Sequence, residues 1–197
     1  RTLGPGHAGV SSAVVIQARM GSSRLPGKVM MDLGGQPVLA HVVARARATP
    51  GVDEVCCAIP DTAGDEPLAE LAASLGAVVV RGPEHDVLAR YARAAEALKA
   101  DRYVRVTADC PFLDPEVAGW VLALLDGGAD YGSNVAPRSW PKGLDVEAFT
   151  ARALARTVAE ARDAYDREHV TPWMRANLTC ANLALPSDER QGWRWTL

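Results

Sequence analysis

The fold is decided by one stretch of the chain, Gln17-Ala-Arg-Met-Gly-Ser-Ser-Arg-Leu-Pro-Gly-Lys28. It follows a short apolar run, residues 13–16, that is typical of a buried strand bounded by turn formers. The stretch itself carries three cations, two serine hydroxyls and two glycines. Glycines let backbone N–H groups approach a ligand closely, hydroxyls donate hydrogen bonds, and arginine and lysine neutralise phosphate charge. The pattern favours a nucleotide-binding loop after a first strand, with a solvated basic turn as the alternative.

Two well-known phosphate-binding loops do not fit this stretch. A Walker A loop needs four residues between its first glycine and the Gly-Lys pair, and then Ser or Thr. Here five residues separate Gly21 from Gly27, and Val29 follows Lys28. The dinucleotide fingerprint Gly-x-Gly-x-x-Gly is also absent after the strand, which argues against an NAD or FAD site.

Composition indicates one domain with no nucleic-acid or membrane partner. The chain has 197 residues, 48% of them hydrophobic, which is ordinary for a globular protein and enough for a real core. A net charge of −3 argues against nucleic acid or an anionic membrane as the main partner, and no apolar run is long enough to span a bilayer. Residues 1–12 lack the apolar core of a signal peptide and are expected to form a disordered tail, which leaves 13–197 as the domain.

Cysteine and histidine usage predicts neither a disulfide framework nor a metal cluster. The four cysteines form no C-x-x-C pair and show no zinc spacing, and the four histidines are scattered. Cys56 and Cys57 lie together in an apolar run, where cysteine behaves as a small hydrophobe. We therefore expect a reduced, cytoplasmic protein.

Strand and helix patterns alternate along the first two thirds of the chain. Strands are predicted at 13–16, 52–59, 77–80, 102–107 and 129–133, and helices at 38–46, 66–75, 87–100 and 114–125. This alternation predicts an α/β fold with a mostly parallel sheet, helices on both faces and right-handed crossovers. A polar, proline-containing loop (134–143) then precedes an alternating strand (144–149), a helix (150–164) and a late strand (178–185).

Charged residues follow several of these strands. The loops 17–28 and 81–86 and the side chain of Asp109 all come after predicted strands, so they should meet at the carboxyl edge of the sheet. Asp109 is a natural Mg²⁺ ligand, because Mg²⁺ is held by one or two carboxylates together with substrate phosphates. The alternative is that Asp109 caps the turn before Pro111. Asp145 lies on a polar face of its strand together with Glu147, and for Asp145 an exposed edge-strand charge is the simple explanation.

The chain also resembles a known family in four motifs: residues 17–28, 105–111, 143–147 and 167–172. These motifs resemble, in the same order, those of the cytidylyltransferase family that includes spore-coat polysaccharide synthesis proteins. That family is related to the CMP-Kdo and CMP-sialate synthetases. The resemblance covers roughly residues 13–185 and is specific. Members of the family usually continue past the position of Leu197 into an acidic segment and another helix.

The resemblance implies a Rossmann-like nucleotidyltransferase sheet with a small C-terminal lobe, residues 134–185, that faces the sugar and forms a dimer contact. It implies attack of a sugar oxygen on the α-phosphorus of CTP, giving a CMP-sugar and pyrophosphate, with Mg²⁺ held by Asp109 and Asp145 and with Glu147 as a weaker candidate ligand. The implied catalytic residues are Arg19, Arg24, Lys28, Asp109 and Asp145. The implied nucleotide-binding residues are Ala18, Arg19, Met20, Gly21, Ser22, Ser23, Arg24, Lys28, Arg81, Asp86, Arg90 and Asp109.

Two parts of this assignment have alternatives. Arg81, Asp86 and Arg90 match a family region near the base, but helix capping and solvation also account for Asp86 and Arg90. The candidate acceptor-binding residues are Arg138, Trp140, Lys142, Glu168 and His169. A structural, hydrogen-bonded histidine is the competing interpretation of His169.

Three hypotheses for function follow. The first is a Mg²⁺-dependent cytidylyltransferase that uses CTP and a sugar-type acceptor and forms a homodimer. The second is a glycosyltransferase that uses a nucleotide-sugar, although such enzymes usually present a D-x-D pair where Asp109-Cys-Pro111 has a single acid. The third is a non-catalytic nucleotide-binding subunit of the same fold.

Overall fold

The computed structural model describes residues 9–22, 25–185 and 192–197. Within these residues a sheet of seven strands has the order β5-β4-β1-β6-β8-β7-β9, and β2 and β3 form a separate two-stranded hairpin. The strands are β1 (Ser12–Gln17), β2 (Asp32–Leu33), β3 (Gln36–Pro37), β4 (Glu54–Pro60), β5 (Val78–Gly82), β6 (Arg102–Thr107), β7 (Tyr131–Ser133), β8 (Glu147–Thr150) and β9 (Cys180–Asn182).

Helices connect the strands. The described α-helices are α1 (Val38–Arg47), α2 (Glu66–Ser74), α3 (Val87–Leu98), α4 (Pro115–Ala123), α5 (Ala151–Glu160), α6 (Ala164–His169) and α7 (Pro172–Asn177). Several begin as their sequences predict: Pro67 lies in the first turn of α2, and the Asp86 carboxylate accepts a hydrogen bond from the Ala89 amide at the start of α3. None of the described helices is long and apolar enough to cross a membrane.

The core lies on both faces of the sheet. Along β1, Val14 and Ile16 pack into one hydrophobic cluster, and Ala13 and Val15 pack into the other. The first cluster is covered by α1, α2 and α4, and the second by α3 and α5. A strand that is buried on both faces must be apolar at every position, which explains the unbroken run at 13–16.

The predicted fold class is confirmed. β1 is parallel to both of its neighbours, with Val14 opposite Val55 of β4 and Val104 of β6. β5 is parallel to β4, so the predicted alternation of strands and helices gives the expected parallel sheet. β1 begins at Ser12, one residue earlier than the apolar run indicated. The backbone amides of Ser12 and Ser11 donate hydrogen bonds to the carboxylates of Asp53 and Asp101, respectively. Residues 1–8 of the expected tail lie outside the described residues.

The second half of the chain differs from the sequence prediction in detail. β8 is antiparallel to both β6 and β7 and lies between them, so it is an interior strand. Glu147 is accordingly buried, whereas Asp145, the residue for which exposed edge-strand charge is the simple explanation, is partly exposed and precedes β8. The predicted helix at 150–164 ends at Glu160, and the short helices α6 and α7 follow it. Strands β8 and β9 extend the main sheet, so residues 134–185 are continuous with it.

A buried ion pair joins β6 to β8. The Arg105 guanidinium contacts the Glu147 carboxylate, and it also donates to Gln17 at 3.1 Å. The other Glu147 oxygen accepts hydrogen bonds from the Tyr131 and Thr171 hydroxyls at 2.6 and 2.7 Å. Burial alone would raise the pKa of Glu147, but the Arg105 charge and the two hydroxyl hydrogen bonds hold it below the usual value. Glu147 is therefore ionised and fully engaged, and it is not free to ligate a metal.

We predict that Glu147→Gln lowers the free energy of unfolding by about 3 kcal/mol or more at neutral pH, because it leaves the Arg105 charge buried without its partner. The folded-state pKa of Glu147 is depressed, so its contribution is present at neutral pH and is lost as pH falls below the unfolded value of 4.5. Urea unfolding between pH 7 and pH 3 measures both effects, and the variant should show the flatter pH dependence.

The matched control is Glu160→Gln. Glu160 pairs with Arg156 one helical turn away on the exposed side of α5, at 3.2 Å. Such exposed pairs contribute little, so this change should cost at most about 0.5 kcal/mol. Equal decreases in the free energy of unfolding of the two variants would show that the buried Arg105–Glu147 pair stabilises the fold no more than an exposed pair does.

Candidate active site

A backbone hydrogen bond joins the two ends of the basic loop. The Gly27 amide donates to the Met20 carbonyl oxygen at 2.9 Å. Gly27 has φ +71°, a left-handed conformation that L side chains rarely adopt, and it lies next to the Met20 side chain. The Pro-Gly pair therefore ends the loop, and a single 3₁₀ turn, Lys28–Met30, returns the chain to the core.

A buried aspartate that the sequence analysis missed anchors the start of the loop. Asp65 accepts a hydrogen bond from the Met20 amide at 2.7 Å and one from the Thr62 hydroxyl at 2.6 Å. Asp65 is buried and lies just before α2. The loop after β1 is thereby tied to the turn after β4.

An open cavity of about 230 Å³ lies at the carboxyl ends of β1 and β6, and we call it the first cavity. Its lining residues are Gln17, Ala18, Arg19, Gly21, Ser22, Lys28, Val29, Thr107, Ala108 and Asp109. The structure thus brings together most of the predicted phosphate-binding residues and the predicted metal ligand. Met20 is not among the lining residues, because its side chain packs against the core. Ser23 and Arg24 lie outside the described residues.

Lys28 and Asp109 form an ion pair inside the first cavity. The Lys28 ammonium lies 2.7 Å from the Asp109 carboxylate and also donates to the Leu197 carbonyl oxygen at 3.0 Å. The Thr107 hydroxyl donates to the other Asp109 oxygen at 2.7 Å. Burial alone would raise the pKa of Asp109, but the hydrogen bonds from Lys28 and Thr107 and the Lys28 charge lower it. The carboxylate therefore stays ionised at neutral pH.

The donor set of this cavity fits a hard cation. Asp109 offers carboxylate oxygens, and its side chain is 30% exposed. Among the described residues no group of three or more His, Cys, Asp and Glu side chains could hold a metal ion. Mg²⁺ does not require such a group, since it binds one or two carboxylates plus substrate phosphates and water. Asp109 therefore suits a magnesium ion that arrives with a phosphorylated ligand.

A second cavity, of about 260 Å³, adjoins the first. Its lining residues are Arg105, Val106, Thr107, Val135, Arg138, Asp145, Glu147, Tyr165, His169, Thr171 and Arg175. Thr107 lines both cavities, so the two meet at the end of β6. Two ligands bound side by side would thus be in contact beside Asp109.

Asp145 belongs to the second cavity. Its carboxylate receives two hydrogen bonds from the Arg138 guanidinium, at 2.6 and 2.8 Å, in a bidentate pair that raises the pKa of Arg138. Asp145 also contributes to the raised pKa of Cys110, although burial and the charge of Asp109 weigh more. Asp145 therefore lies close to the shared wall, but Arg138 holds it, and a joint metal role with Asp109 stays a prediction.

One wall of the second cavity is shaped by a γ-turn between α6 and α7. Val170 has φ +69° and ψ −52°, and the Thr171 amide donates across it to the His169 carbonyl oxygen at 2.8 Å. Positive φ is strained for a β-branched residue, and such strain persists only where the surroundings enforce it. Val170 is buried, and the turn places His169 and Thr171 on the same cavity wall.

Of the five predicted acceptor-binding residues, Arg138 and His169 line the second cavity and three do not. Trp140 is buried, and its indole N–H donates to the Leu183 carbonyl oxygen at 2.9 Å, so the ring serves the core. Lys142 pairs through its backbone with residues 193–195, and it is exposed and does not belong to the cavity lining. Glu168 is exposed on α6 and precedes His169, which lines the cavity.

The predicted base-binding residues do not line either cavity. Arg81 is engaged by Glu66 at 2.6 Å. Asp86 caps α3 and binds Arg167 of α6 at 2.6 Å, which supports the capping interpretation. Arg90 is buried and donates to the carbonyl oxygens of residues 83 and 84, so the alternative of a solvated Arg90 is wrong. Arg90 and Asp86 thus hold the loop 82–86, which approaches the basic loop at Gly21, whereas Arg81 ties the end of β5 to the turn before α2.

The structure adds lining residues that the sequence analysis did not select, chief among them Thr107, Tyr165 and Arg175. Thr107 could have been selected from the sequence. It lies two residues after Arg105 on the same predicted strand, and residues two apart on a strand point to the same face. Tyr165 and His169 are four apart on α6, a spacing that makes neighbours on a helix surface. No local sequence pattern identifies Arg175, which reaches the cavity from α7.

The fold and the site together define an α/β protein with a basic, glycine-containing loop beside an acidic residue at the carboxyl edge of its sheet. The model of the family described as cytidylyltransferase matches residues 13–189. The chain therefore belongs to the cytidylyltransferase family. This membership confirms the resemblance seen in the four motifs and removes support from the glycosyltransferase hypothesis.

Individual relatives agree with this assignment. The chain is 36% identical over 168 residues to a Bacillus subtilis spore coat polysaccharide biosynthesis protein, covering 82% of this chain and 68% of that one. It is 38% identical over 128 residues to a 3-deoxy-manno-octulosonate cytidylyltransferase of Anaeromyxobacter, covering 64% and 51%. An uncharacterized protein of Methanocaldococcus jannaschii is 37% identical over 164 residues, covering 83% and 66%. The chain thus spans between 51% and 68% of the length of these relatives.

Solved structures share the fold. A cytidylyltransferase from Leptospira borgpetersenii superposes with a TM-score of 0.89 at 29% identity, covering 96% of this chain and 82% of that one. A CMP:2-keto-3-deoxy-manno-octonic acid synthetase solved with CTP superposes with a TM-score of 0.70 at 20% identity, covering 89% and 90%. The second likeness shows the fold alone.

We predict that Asp109→Asn changes the free energy of unfolding by no more than about 1 kcal/mol, because the side chain is partly exposed and the amide oxygen can still accept from Thr107. Urea unfolding at pH 7 measures the change, and Glu147→Gln provides the contrast. A loss as large as that of Glu147→Gln would make Asp109 a structural residue.

Proposed function

We propose that this protein transfers CMP from CTP to the hydroxyl of a sugar-type acceptor and releases pyrophosphate, in a Mg²⁺-dependent reaction. The observation that carries the proposal is the junction of the two cavities at Thr107, with Lys28 and Asp109 on one side and Arg138 and His169 on the other. In the reaction the acceptor oxygen bonds to the α-phosphorus while the bond from that phosphorus to the pyrophosphate oxygen breaks. A junction of this kind lets the two reactants meet in line.

The phosphates of CTP would occupy the first cavity. Arg19 is exposed there, and with Lys28 it offers positive charge beside the loop N–H groups and the Ser22 hydroxyl. Such groups bind a polyanion and neutralise charge as it develops on the departing pyrophosphate. Binding would exchange the Lys28–Asp109 pair for two new contacts, because the ammonium would turn to phosphate and the carboxylate to metal.

The acceptor would occupy the second cavity. Its hydroxyl would reach the α-phosphorus at the shared wall near Thr107, and the cavity's polar side chains would orient the ring. Magnesium bound by Asp109, with Asp145 as the proposed second ligand, would draw electron density from the α-phosphate and ease ionisation of the attacking hydroxyl. Asp145 would need to release part of its contact with Arg138 to take that role.

Base recognition would involve the loop 82–86. Arg90 anchors this loop through two carbonyl oxygens, and Glu84 lies near Gly21 on the basic loop. We assign Arg81, Asp86 and Arg90 to positioning this loop over the base, in place of direct contact. The physiological role would be the supply of an activated sugar for a surface polysaccharide, by analogy with the Bacillus subtilis relative, and a cytoplasmic homodimer is the expected form.

Nucleotide preference gives the first test. CTP with Mg²⁺ should raise the melting temperature more than ATP, GTP or UTP with Mg²⁺, because a ligand that binds only the folded state stabilises it by mass action. Differential scanning fluorimetry measures the shifts, and CTP without Mg²⁺ is the control. Equal shifts with all four nucleotides would contradict cytidine specificity while leaving the phosphate site in place.

The kinetics of a Lys28 variant distinguish an enzyme from a non-catalytic binding subunit. Arg19 can still attract the triphosphate when Lys28 is removed, but the ammonium is best used where charge develops on pyrophosphate. Lys28→Ala should therefore lower kcat about a hundredfold and raise the KM for CTP by much less. Steady-state assays of pyrophosphate release measure both.

The control for this variant is Lys28→Arg, which keeps the charge and should recover part of the rate. A raised KM with unchanged kcat in Lys28→Ala would make Lys28 a ground-state binding residue only. If neither the parent protein nor the variant releases pyrophosphate with any acceptor, the non-catalytic hypothesis is favoured.

A further inference from the structure

Gln17 lies where the two cavities meet. It is the last residue of β1, it is partly exposed, and it lines the first cavity. Its Cα partner on β6 is Thr107, the residue that lines both cavities. Neighbouring strands lie about 4.8 Å apart, so Gln17 is next to the point at which two bound reactants meet. It was not among the predicted site residues, because the charged residues that follow it account for a phosphate site by themselves.

The orientation of the Gln17 amide is fixed by Arg105. The Arg105 guanidinium donates a hydrogen bond to the Gln17 side-chain oxygen at 3.1 Å. A guanidinium has only donors and no acceptor, and it is not deprotonated in proteins, so only the amide oxygen can face it. The amide nitrogen of Gln17, with its N–H donors, is therefore turned away from Arg105.

Arg105 is itself held firmly, so the amide is in place before a ligand binds. The guanidinium contacts one oxygen of the buried Glu147 carboxylate, and the other oxygen accepts from the Tyr131 and Thr171 hydroxyls. Burial alone would lower the pKa of Arg105, but the charge of Glu147 raises it overall, so the guanidinium stays charged. A donor that is held in position by such contacts has little freedom to lose when it binds a ligand.

The donors of the Gln17 amide nitrogen are available to a ligand. Within residues 9–22, 25–185 and 192–197 this nitrogen donates to no protein atom, and it is accessible rather than buried. The first cavity also contains Lys28 and Asp109, whose charges neutralise each other. An amide N–H that meets an anionic oxygen forms a charge-assisted hydrogen bond, which is stronger than one between neutral groups. A phosphate oxygen is therefore the ligand group that suits this nitrogen.

We propose that Gln17 binds the α-phosphate of CTP by donating a hydrogen bond from its amide nitrogen to a non-bridging oxygen. This inference rests on the proposed function, in which the α-phosphorus is the atom that lies at the junction near Thr107. The contact holds the α-phosphate in line with the incoming acceptor oxygen, and orientation of this kind is a large part of what such a transfer requires. Arg105 and Glu147, which line the second cavity, thereby orient a group that acts in the first.

The test locates the contact along the nucleotide. Calorimetry on the full chain with Mg²⁺ gives the affinities of cytidine, CMP, CDP and CTP, with weak ligands measured by competition against CTP. The affinity gained from cytidine to CMP reports on the α-phosphate, and each later step reports on one further phosphate. No acceptor is needed, so the measurement does not depend on the identity of the second substrate.

Two variants remove the donors in different ways. Gln17→Glu keeps an oxygen for Arg105 and replaces the amide nitrogen with a second oxygen, whereas Gln17→Met removes the donors without adding a charge. Each should weaken CMP, CDP and CTP about 10- to 100-fold, as for loss of one hydrogen bond to a charged group, and leave cytidine unchanged. Thermal unfolding without ligand checks that each variant is folded, and Gln17→Met carries the test if Gln17→Glu is not. The matched control is Gln36→Glu, on the exposed side of β3, which should change none of the affinities.

Three results would overturn the inference. The loss could first appear at CDP or CTP, which would place the contact on a later phosphate. Cytidine could weaken as much as CMP, or no affinity could change. In each of these cases normal binding of CTP by the parent protein preserves the proposed function, whereas a parent protein that binds none of these ligands refutes the proposed function itself.

Discussion

The buried pair between Arg105 and Glu147 is the interaction on which the rest of the structure depends. It joins β6, the last parallel strand next to β1, to the antiparallel strand β8, and so attaches the second half of the chain to the first. Its hydrogen bonds reach Gln17 in the first cavity and Thr171 in the second. Charged groups are costly to bury, and this one is tolerated because every oxygen of Glu147 has a partner. A single carboxylate therefore aligns the two cavities with each other.

The candidate site is built from charge pairs that a ligand must exchange. Lys28 and Asp109 neutralise each other in the first cavity, and Arg138 and Asp145 do so in the second. A phosphate alone would bind the cation of a pair and leave its carboxylate unpaired, and a metal ion alone would do the reverse. When both bind, the cation contacts the phosphate and the carboxylate contacts the metal ion. By linkage, each of the two ligands should then favour binding of the other. The arrangement is consistent with a cleft that discriminates the metal–nucleotide complex from its parts.

Much of this could be read from the sequence, and the exceptions have physical reasons. The meeting of loop 17–28 with Asp109 follows from parallel strands, whose carboxyl ends share one edge of the sheet. The burial of Glu147 did not follow, because alternation along a strand cannot distinguish an interior strand from an edge strand. The helices α6 and α7 have six residues each, too few for a clear helical period. Trp140 and Arg175 were misjudged or missed because their roles depend on contacts with distant parts of the chain, such as Leu183 for Trp140.

The double role of Asp86 has a consequence for how the second cavity opens. One oxygen of this carboxylate caps α3 and the other binds Arg167 in the middle of α6. Displacing α6 as a body would uncap α3, so backbone motion on the microsecond-to-millisecond scale is disfavoured there. The exposed side chains Tyr165 and Arg175, by contrast, can change rotamer within picoseconds to nanoseconds. Entry to the cavity would then be governed by fast side-chain rotation on a stationary helix, and it would add no slow step to turnover.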